Sequence, residues 1–189
     1  MKPCSCFLLC IVACAGAAQA EPAARMGASY CYIEGGSALV LTAQMDNKGP
    51  IGVDGRKHPA RTKWDVQWRF RHNMHDSVCK MEKVSVMVGV TAIRPRWREE
   101  AQGPASLRKR WKQLIVAVDR NQEYHKEQAL GAGKKIEQAL NALTPKKTCA
   151  ALTEAANAVA AEVLGIHQSL SRDYDLRTDY GRKNGVSLI

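Results

Sequence analysis

Thr62-Lys-Trp-Asp-Val-Gln-Trp-Arg-Phe70 alternates apolar and polar side chains without a break. In an extended chain, successive side chains point to opposite faces. Thr62, Trp64, Val66, Trp68 and Phe70 therefore share one face, and Lys63, Asp65, Gln67 and Arg69 the other, which is the pattern of a half-buried antiparallel strand. Val84, Val86, Val88 and Val90 repeat the period of two. The polar stretch between these runs, residues 71–77 (RHNMHDS), reads as a turn, and together they predict a hairpin. Upstream, residues 29–34 (SYCYIE) and 38–42 (ALVLT) are rich in aromatic and branched side chains and predict two strands around a Gly35-Gly36 turn. Residues 46–60 hold three glycines and two prolines and read as a long loop, and Ile93-Arg-Pro-Arg-Trp97 ends the sheet.

The rest of the chain reads as helical. Pro104 and Ser106 mark a start, and Leu107, Trp111, Leu114, Ile115, Val118, Ala129, Ala132, Ile136 and Leu140 follow in steps of three and four. Thr144-Pro145 stops this helix, and a second, Ala-rich one runs from about Cys149 to Leu170. The tail 171–189 is polar and reads as extended loop. Strands first and helices second predict an α+β domain: an antiparallel sheet from the N-terminal half, packed by two long helices from the C-terminal half.

The chain has 189 residues, 46% hydrophobic and 24% charged, which is ordinary globular composition and excludes wholesale disorder. No uncharged apolar run reaches the roughly 18–20 residues of a spanning helix, so a polytopic membrane protein is excluded. Residues 1–20 (MKPCSCFLLCIVACAGAAQA) have Lys2, a short apolar core and a closing Ala18-Gln19-Ala20, the pattern of a secretory signal. Cleavage after Ala20 starts a single mature domain, 21–189, at Glu21. A competing reading takes Ile11-Val12-Ala13-Cys14 as a lipoprotein box that would acylate Cys14 and tether the protein to a membrane. Lys2 is the one charged residue of the segment, so its removal leaves 27 basic against 18 acidic residues, a net +9. The expected location is periplasmic or secreted. Export leaves Cys31, Cys79 and Cys149 in an oxidising compartment, where one pair can form a disulfide and three pairings are open.

The apolar stripe of the long helix fails between Val118 and Ala129, where the inward positions are Asn121, Gln122 and His125. Asn121 and His125, four apart, face the same way from consecutive turns. Polar groups facing a core cost on the order of 1–3 kcal/mol each unless satisfied. Three readings follow: a rotated, wetted helix; a hydrogen-bond network with the tail; or a site.

Several anchors stand in order along the chain: Tyr32-x-x-x-Gly36; Gly49-Pro50-x-x-x-Asp54-Gly55-Arg56; Ala60-x-Thr62-x-Trp64-x-Val66-x-Trp68; Cys79; Pro95-x-Trp97; Trp111; Cys149; Tyr174-Asp175-x-x-Thr178-x-x-Gly181; and Asn184-Gly185. In this order they resemble a bacterial family of secreted zinc-dependent proteases, over about Tyr30 to Val186. The resemblance implies a zincin-like scaffold and a Cys79–Cys149 disulfide. It also implies an H-E-x-x-H motif on the long helix and a T-x-H-G motif in the tail. Two imidazoles at i and i+4 would hold zinc with a third from the tail, and the Glu would activate the bound water. Here those stretches read Asn121-Gln122-Glu123-Tyr124-His125 and Thr178-Asp179-Tyr180-Gly181. Of the expected ligands only His125 survives; Asn121 and Tyr180 replace the other two, and Gln122 replaces the general base. An amide is a poor zinc ligand, and Gln122 cannot exchange a proton as a carboxylate does. Glu123 lies about 100° further round the helix and cannot stand in. The resemblance implies that the tail near Tyr180 covers Asn121 and His125, the three side chains satisfying one another where zinc would sit.

Other constellations are weaker. His72, His75 and Asp76 in the expected turn could take a divalent ion but read more simply as exposed turn residues. His58, before Pro59, reads as solvent-exposed, and His167 as a packing or capping residue. Arg94, Arg96 and Arg98 flank Trp97, and Arg108-Lys109-Arg110 precede Trp111, a basic cluster suited to an anionic partner. No nucleic-acid module is present, and none is expected as a partner. The expectation is an exported pseudo-metalloprotease without zinc or catalytic residues. It would bind or inhibit an envelope enzyme or bind an anionic wall polymer. The rival is a metal-dependent peptidase with substituted ligands.

Overall fold

In a computed structural model, which describes residues 22–189, the alternating stretch lies in β2 (Arg61–His75). β2 pairs antiparallel with β3 (Val78–Trp97) around a tight turn in which Asp76 and Ser77 take φ of 48° and 66°. Two successive positive φ values match the twist of a two-residue hairpin loop. The hairpin is longer than the sequence suggests. Residues 71–75 continue the ladder past a bulge at Arg71/His72, because no Gly or Pro interrupts them there. The signal-like segment 1–20, its cleavage site and the Cys14 alternative lie outside the described residues.

Trp64, Val66, Trp68 and Phe70 oppose Val90, Val88, Val86 and Val84. Over this shared face lies α2 (Ala105–Asn141), which buries Ala129, Ala132, Ile136 and Leu140 against the valines. The approach is close: a Cβ on Gly133 would come within 2.4 Å of Val88 Cγ2. α3 (Cys149–Thr178) adds Ala156 and Ala160 to the same cluster. By length and composition α3 could cross a bilayer, yet here it lies folded along α2 and the hairpin.

The sheet corrects one expectation. It is mixed, not antiparallel throughout, with strand order β1-β3-β2 and β1 (Ala23–Ile33) parallel to β3. The cause is the segment read as a second strand. Ala38–Thr42 opens the helix α1 (Ala38–Lys48), whose N-cap Ser37 accepts a hydrogen bond from the Val40 amide at 3.3 Å. Leu41 and Met45, one turn apart, are its buried residues. With a helix after Gly36 no hairpin can form, so β1 pairs at long range.

The tail is a second correction. α3 runs on to Thr178, and the chain leaves it through Asp179 and Tyr180, both left-handed, with the Tyr180 amide bonded to the Asp175 carbonyl at 2.7 Å. A turn at Arg182–Asn184 then sends Val186 and Leu188 back inside. They join Ile33, Leu41, Met45, Trp97, Trp111 and Leu114 in a second cluster, which locks the tail onto the first half of α2. Cys79 and Cys149 are disulfide-bonded, tying β3 to the first residue of α3.

Candidate functional site

The middle of α2, the end of α3 and the loop before β2 enclose a cavity of about 370 Å³. Asn121 and His125 line it from α2, as their four-residue spacing requires, with Asp175 and Tyr180 facing them from α3 and the tail, and His58 and Trp64 on the third side. His125 is 7% exposed, and its Nε2 lies 3.0 Å from Asp175 Oδ1. A carboxylate only accepts, so that nitrogen carries a proton and has no lone pair to offer. Tyr174 and Tyr124 hold the imidazole edge-on, with ring centres at 5.6 and 5.8 Å.

Tyr180 stacks flat on His58 at 3.9 Å. Its left-handed backbone, φ 53°, is uncommon for an aromatic residue and is held by the tight turn after α3. His58 is 4% exposed and not solvent-facing as its position before Pro59 suggested; its Nε2 donates to Asp54 Oδ1 at 2.9 Å. Arg56 donates to Asp54 Oδ2 at 2.7 Å and places its guanidinium 5.7 Å from the Tyr180 ring. Burial opposes ionisation of Asp54, but the hydrogen bonds from His58 and Arg56 outweigh it and hold the carboxyl well below its usual range. Burial, with the Asp54 and Asp175 carboxylates nearby, raises the Tyr180 phenol above its ordinary value, so it stays protonated at neutral pH.

A pH dependence follows from Asp54. Its folded-state value lies below the unfolded one, so its contribution is complete above about pH 4 and is lost as pH falls further. Melting temperature should drop more steeply between pH 5 and pH 2 in the wild type than in Asp54→Asn. Parallel curves would show that the loop does not depend on this carboxylate.

Gln122 is not part of the cavity. It is 4% exposed on the sheet-facing side of α2, where its Nε2 donates to the Ile93 carbonyl and its Oε1 accepts from Arg94 Nε, both at 2.9 Å. Arg94 is also 3.3 Å from Asp119. Gln122 is thus a brace between helix and sheet. Gln122→Ala leaves Arg94 with Asp119 alone and takes the side-chain donor from the Ile93 carbonyl, and should cost about 1–3 kcal/mol in urea unfolding. A loss below about 0.5 kcal/mol would remove it from that role.

Asn121, His125 and Tyr180 meet at one cavity, but among the described residues they do not hydrogen-bond one another. Asn121 Oδ1 is buried without a partner and rests against Gly181, His125 turns to Asp175, and Tyr180 turns to His58. Glu123 faces away and pairs with Lys126 at 2.8 Å. The six basic residues differ in their surroundings. Arg94 is tied to Gln122, Arg96 lies over Tyr30, and Arg98 pairs with Glu34 and lies over Tyr32, whereas Arg108, Lys109 and Arg110 are exposed on the first turns of α2. His75 lies 3.5 Å from Glu82, and His72 turns away from it to Thr153. His167 packs against Gln128, as expected of a structural residue, and burial lowers its value. Cys31 is a half-buried free thiol in β1. Asp54 and Arg56 stand in the sequence only as an anchor of the resemblance and His58 only as an exposed loop residue; their alternate spacing in a Gly-rich loop was the signal that could have joined them.

The donors at the three positions where the resemblance expects zinc ligands are thus a protonated imidazole nitrogen, an amide and a neutral phenol. They do not fit a catalytic zinc site, which needs three deprotonated protein ligands. Among the described residues, no three His, Cys, Asp or Glu side chains at this cavity bring ligating atoms within 4.8 Å of one another.

A mixed three-stranded sheet under two long helices, with a polar cavity where helix, loop and C-terminal tail meet, defines an α+β domain. Residues 28–181 match the family described as bacterial protein of unknown function (DUF922), and the chain belongs to that family. No curated protein and no solved structure matches it.

Proposed function

We propose that this chain is an exported, non-hydrolytic binding protein built on the scaffold of a secreted zinc-dependent protease. Its ligand is an anionic group of a cell-wall polymer or an envelope enzyme. The observation that carries this reading is the state of the cavity. His125 is committed to Asp175, and the other two positions where the resemblance expects zinc ligands offer an amide and a phenol, yet the space remains open. Arg61, Lys63 and Arg172 line it, and none has a carboxylate within ion-pair distance among the described residues. Arg61 donates to the Ile51 carbonyl and Arg172 to Ser169 Oγ. Three cations against the one lining carboxylate, Asp175, which His125 engages, leave about 370 Å³ with an excess of positive charge that suits a carboxylate-bearing sugar or peptide group.

The test uses the purified protein, with soluble muropeptides as the probe and the emission of Trp64 among the reporters. Binding that weakens at least about tenfold in Lys63→Ala/Arg172→Ala, with no cleavage of casein, supports the reading. Zinc at one equivalent with chelator-sensitive casein cleavage overturns it in favour of a peptidase with substituted ligands. A mass spectrum of the isolated protein beginning at Glu21 supports the soluble exported form, and an acylated Cys14 supports the membrane-tethered one.

A further inference from the structure

His72 carries a signal that the cavity does not use. One of its ring nitrogens lies within 4.8 Å of both sulfurs of the Cys79–Cys149 disulfide. The three residues come from three elements: His72 from β2, Cys79 from β3, and Cys149 from the first turn of α3. Each also has contacts besides the disulfide. His72 is in the β2–β3 ladder and bonds Thr153 Oγ1 at 2.9 Å. Cys79 is paired with Met74 in the ladder and exchanges two backbone hydrogen bonds with Lys146, at 2.7 and 3.0 Å. Cys149 follows the N-cap Thr148, whose hydroxyl accepts from the Ala151 amide at 3.2 Å, and the buried Leu152 fixes that turn.

We infer that, once the disulfide is reduced, His72, Cys79 and Cys149 form a three-ligand site for a thiophilic divalent ion such as zinc. A dithiol reductant gives two electrons to the disulfide, ends as its own disulfide, and leaves two thiols. The ion displaces the two thiol protons and takes the free electron pair of one imidazole nitrogen, leaving a fourth position for water. Two thiolates and one imidazole are a donor set that selects zinc over the harder cations. Tetrahedral zinc spaces such donors roughly 3.3–3.8 Å apart, a modest contraction for side chains already within 4.8 Å. The ion would then clamp the hairpin to α3 in place of the disulfide. This site replaces the His72, His75 and Asp76 grouping of the sequence, which the structure divides between Thr153 and Glu82. It is independent of the cavity: Cys149 and Asp175 are 26 residues apart on one helix, roughly 40 Å at 1.5 Å per residue.

Cobalt(II) provides the test, as a coloured stand-in for zinc. The full chain carries seven cysteines. Serine at Cys4, Cys6, Cys10, Cys14 and Cys31 leaves only the pair of interest. The reduced form should take up one equivalent of cobalt with a thiolate-to-cobalt band and tetrahedral visible bands, which one equivalent of zinc bleaches. The oxidised form should show neither. His72→Ala should retain the thiolate band but bind at least about tenfold more weakly. Circular dichroism runs in parallel. If the reduced chain loses helix without metal, zinc must restore it. Absence of the band in the reduced chain, failure of zinc to restore lost helix, or an affinity unchanged by His72→Ala would each overturn the site.

Discussion

Replacing Cys79 and Cys149 together by alanine should lower stability by about 4 kcal/mol and the melting temperature by roughly 10 °C. The magnitude follows from the length of the closed loop. The two residues are 70 apart, and freeing a loop of that size returns on the order of 4 kcal/mol of chain entropy to the unfolded state. The architecture makes the loss harder to absorb. α3 buries only Leu152, Ala156, Ala160, Ser171 and Thr178 along thirty residues, so its own packing on α2 and the hairpin is thin. The disulfide fixes its first turn, while the His125–Asp175 contact and the tail fix its last. Without the disulfide, the first turns of α3 should exchange amide hydrogens faster, with little change near Asp175. Thermal melts of the oxidised wild type and the double alanine variant measure the effect. A difference below about 2 °C would mean that the helix needs no covalent anchor. The dithiol-reduced wild type should melt near the double variant without metal, and well above it with zinc.

The hairpin and α2 were legible because their residues obey one period over a long stretch. From Thr62 to Phe70, and from Leu107 to Leu140 apart from its polar gap, each apolar position agrees with its neighbours about which way is inward. The same agreement located Asn121 and His125 at the cavity, because a break in a reliable stripe is itself a signal. Ala38–Thr42 failed because five apolar and branched residues carry no period, and the deciding features were a serine cap and the pair Leu41 and Met45. The parallel pairing of β1 depends on that helix, so it was lost with it. The end of α3 failed for another reason. Ser171–Thr178 is polar, and it stays helical because Asp175 reaches His125 across the helix pair and the buried Val186 and Leu188 draw the chain back. Those contacts are tertiary and leave no local trace. Gln122 shows the limit of motif reasoning: its place beside Asn121 suggests the cavity, but one helical step aims it at Ile93 and Arg94.

Trp111→Ala should destabilise the protein by about 3–5 kcal/mol and should also loosen the cavity, although Trp111 does not line it. The indole is 2% exposed and meets Trp97 edge-to-face at 5.9 Å. Trp97 is in turn covered by Gly103, where a Cβ would stand 2.1 Å from the ring, so neither partner can slide to fill the space an alanine leaves. The cluster around this pair contains the end of β1, α1 and the returning tail residues Val186 and Leu188. Those two residues hold the turn at Gly181 that seats Tyr180 on His58. A void at Trp111 therefore weakens the tail before it weakens the hairpin, whose valines pack on the other half of α2. Trp111→Phe keeps most of the contact and should cost well under half as much. Urea unfolding gives the free energies, and amide exchange at residues 178–186 against residues 84–90 gives the order of loosening. Equal exchange changes in both segments would mean that the two clusters behave as one cooperative core. An unchanged tail would mean that Tyr180 is held by α3 alone.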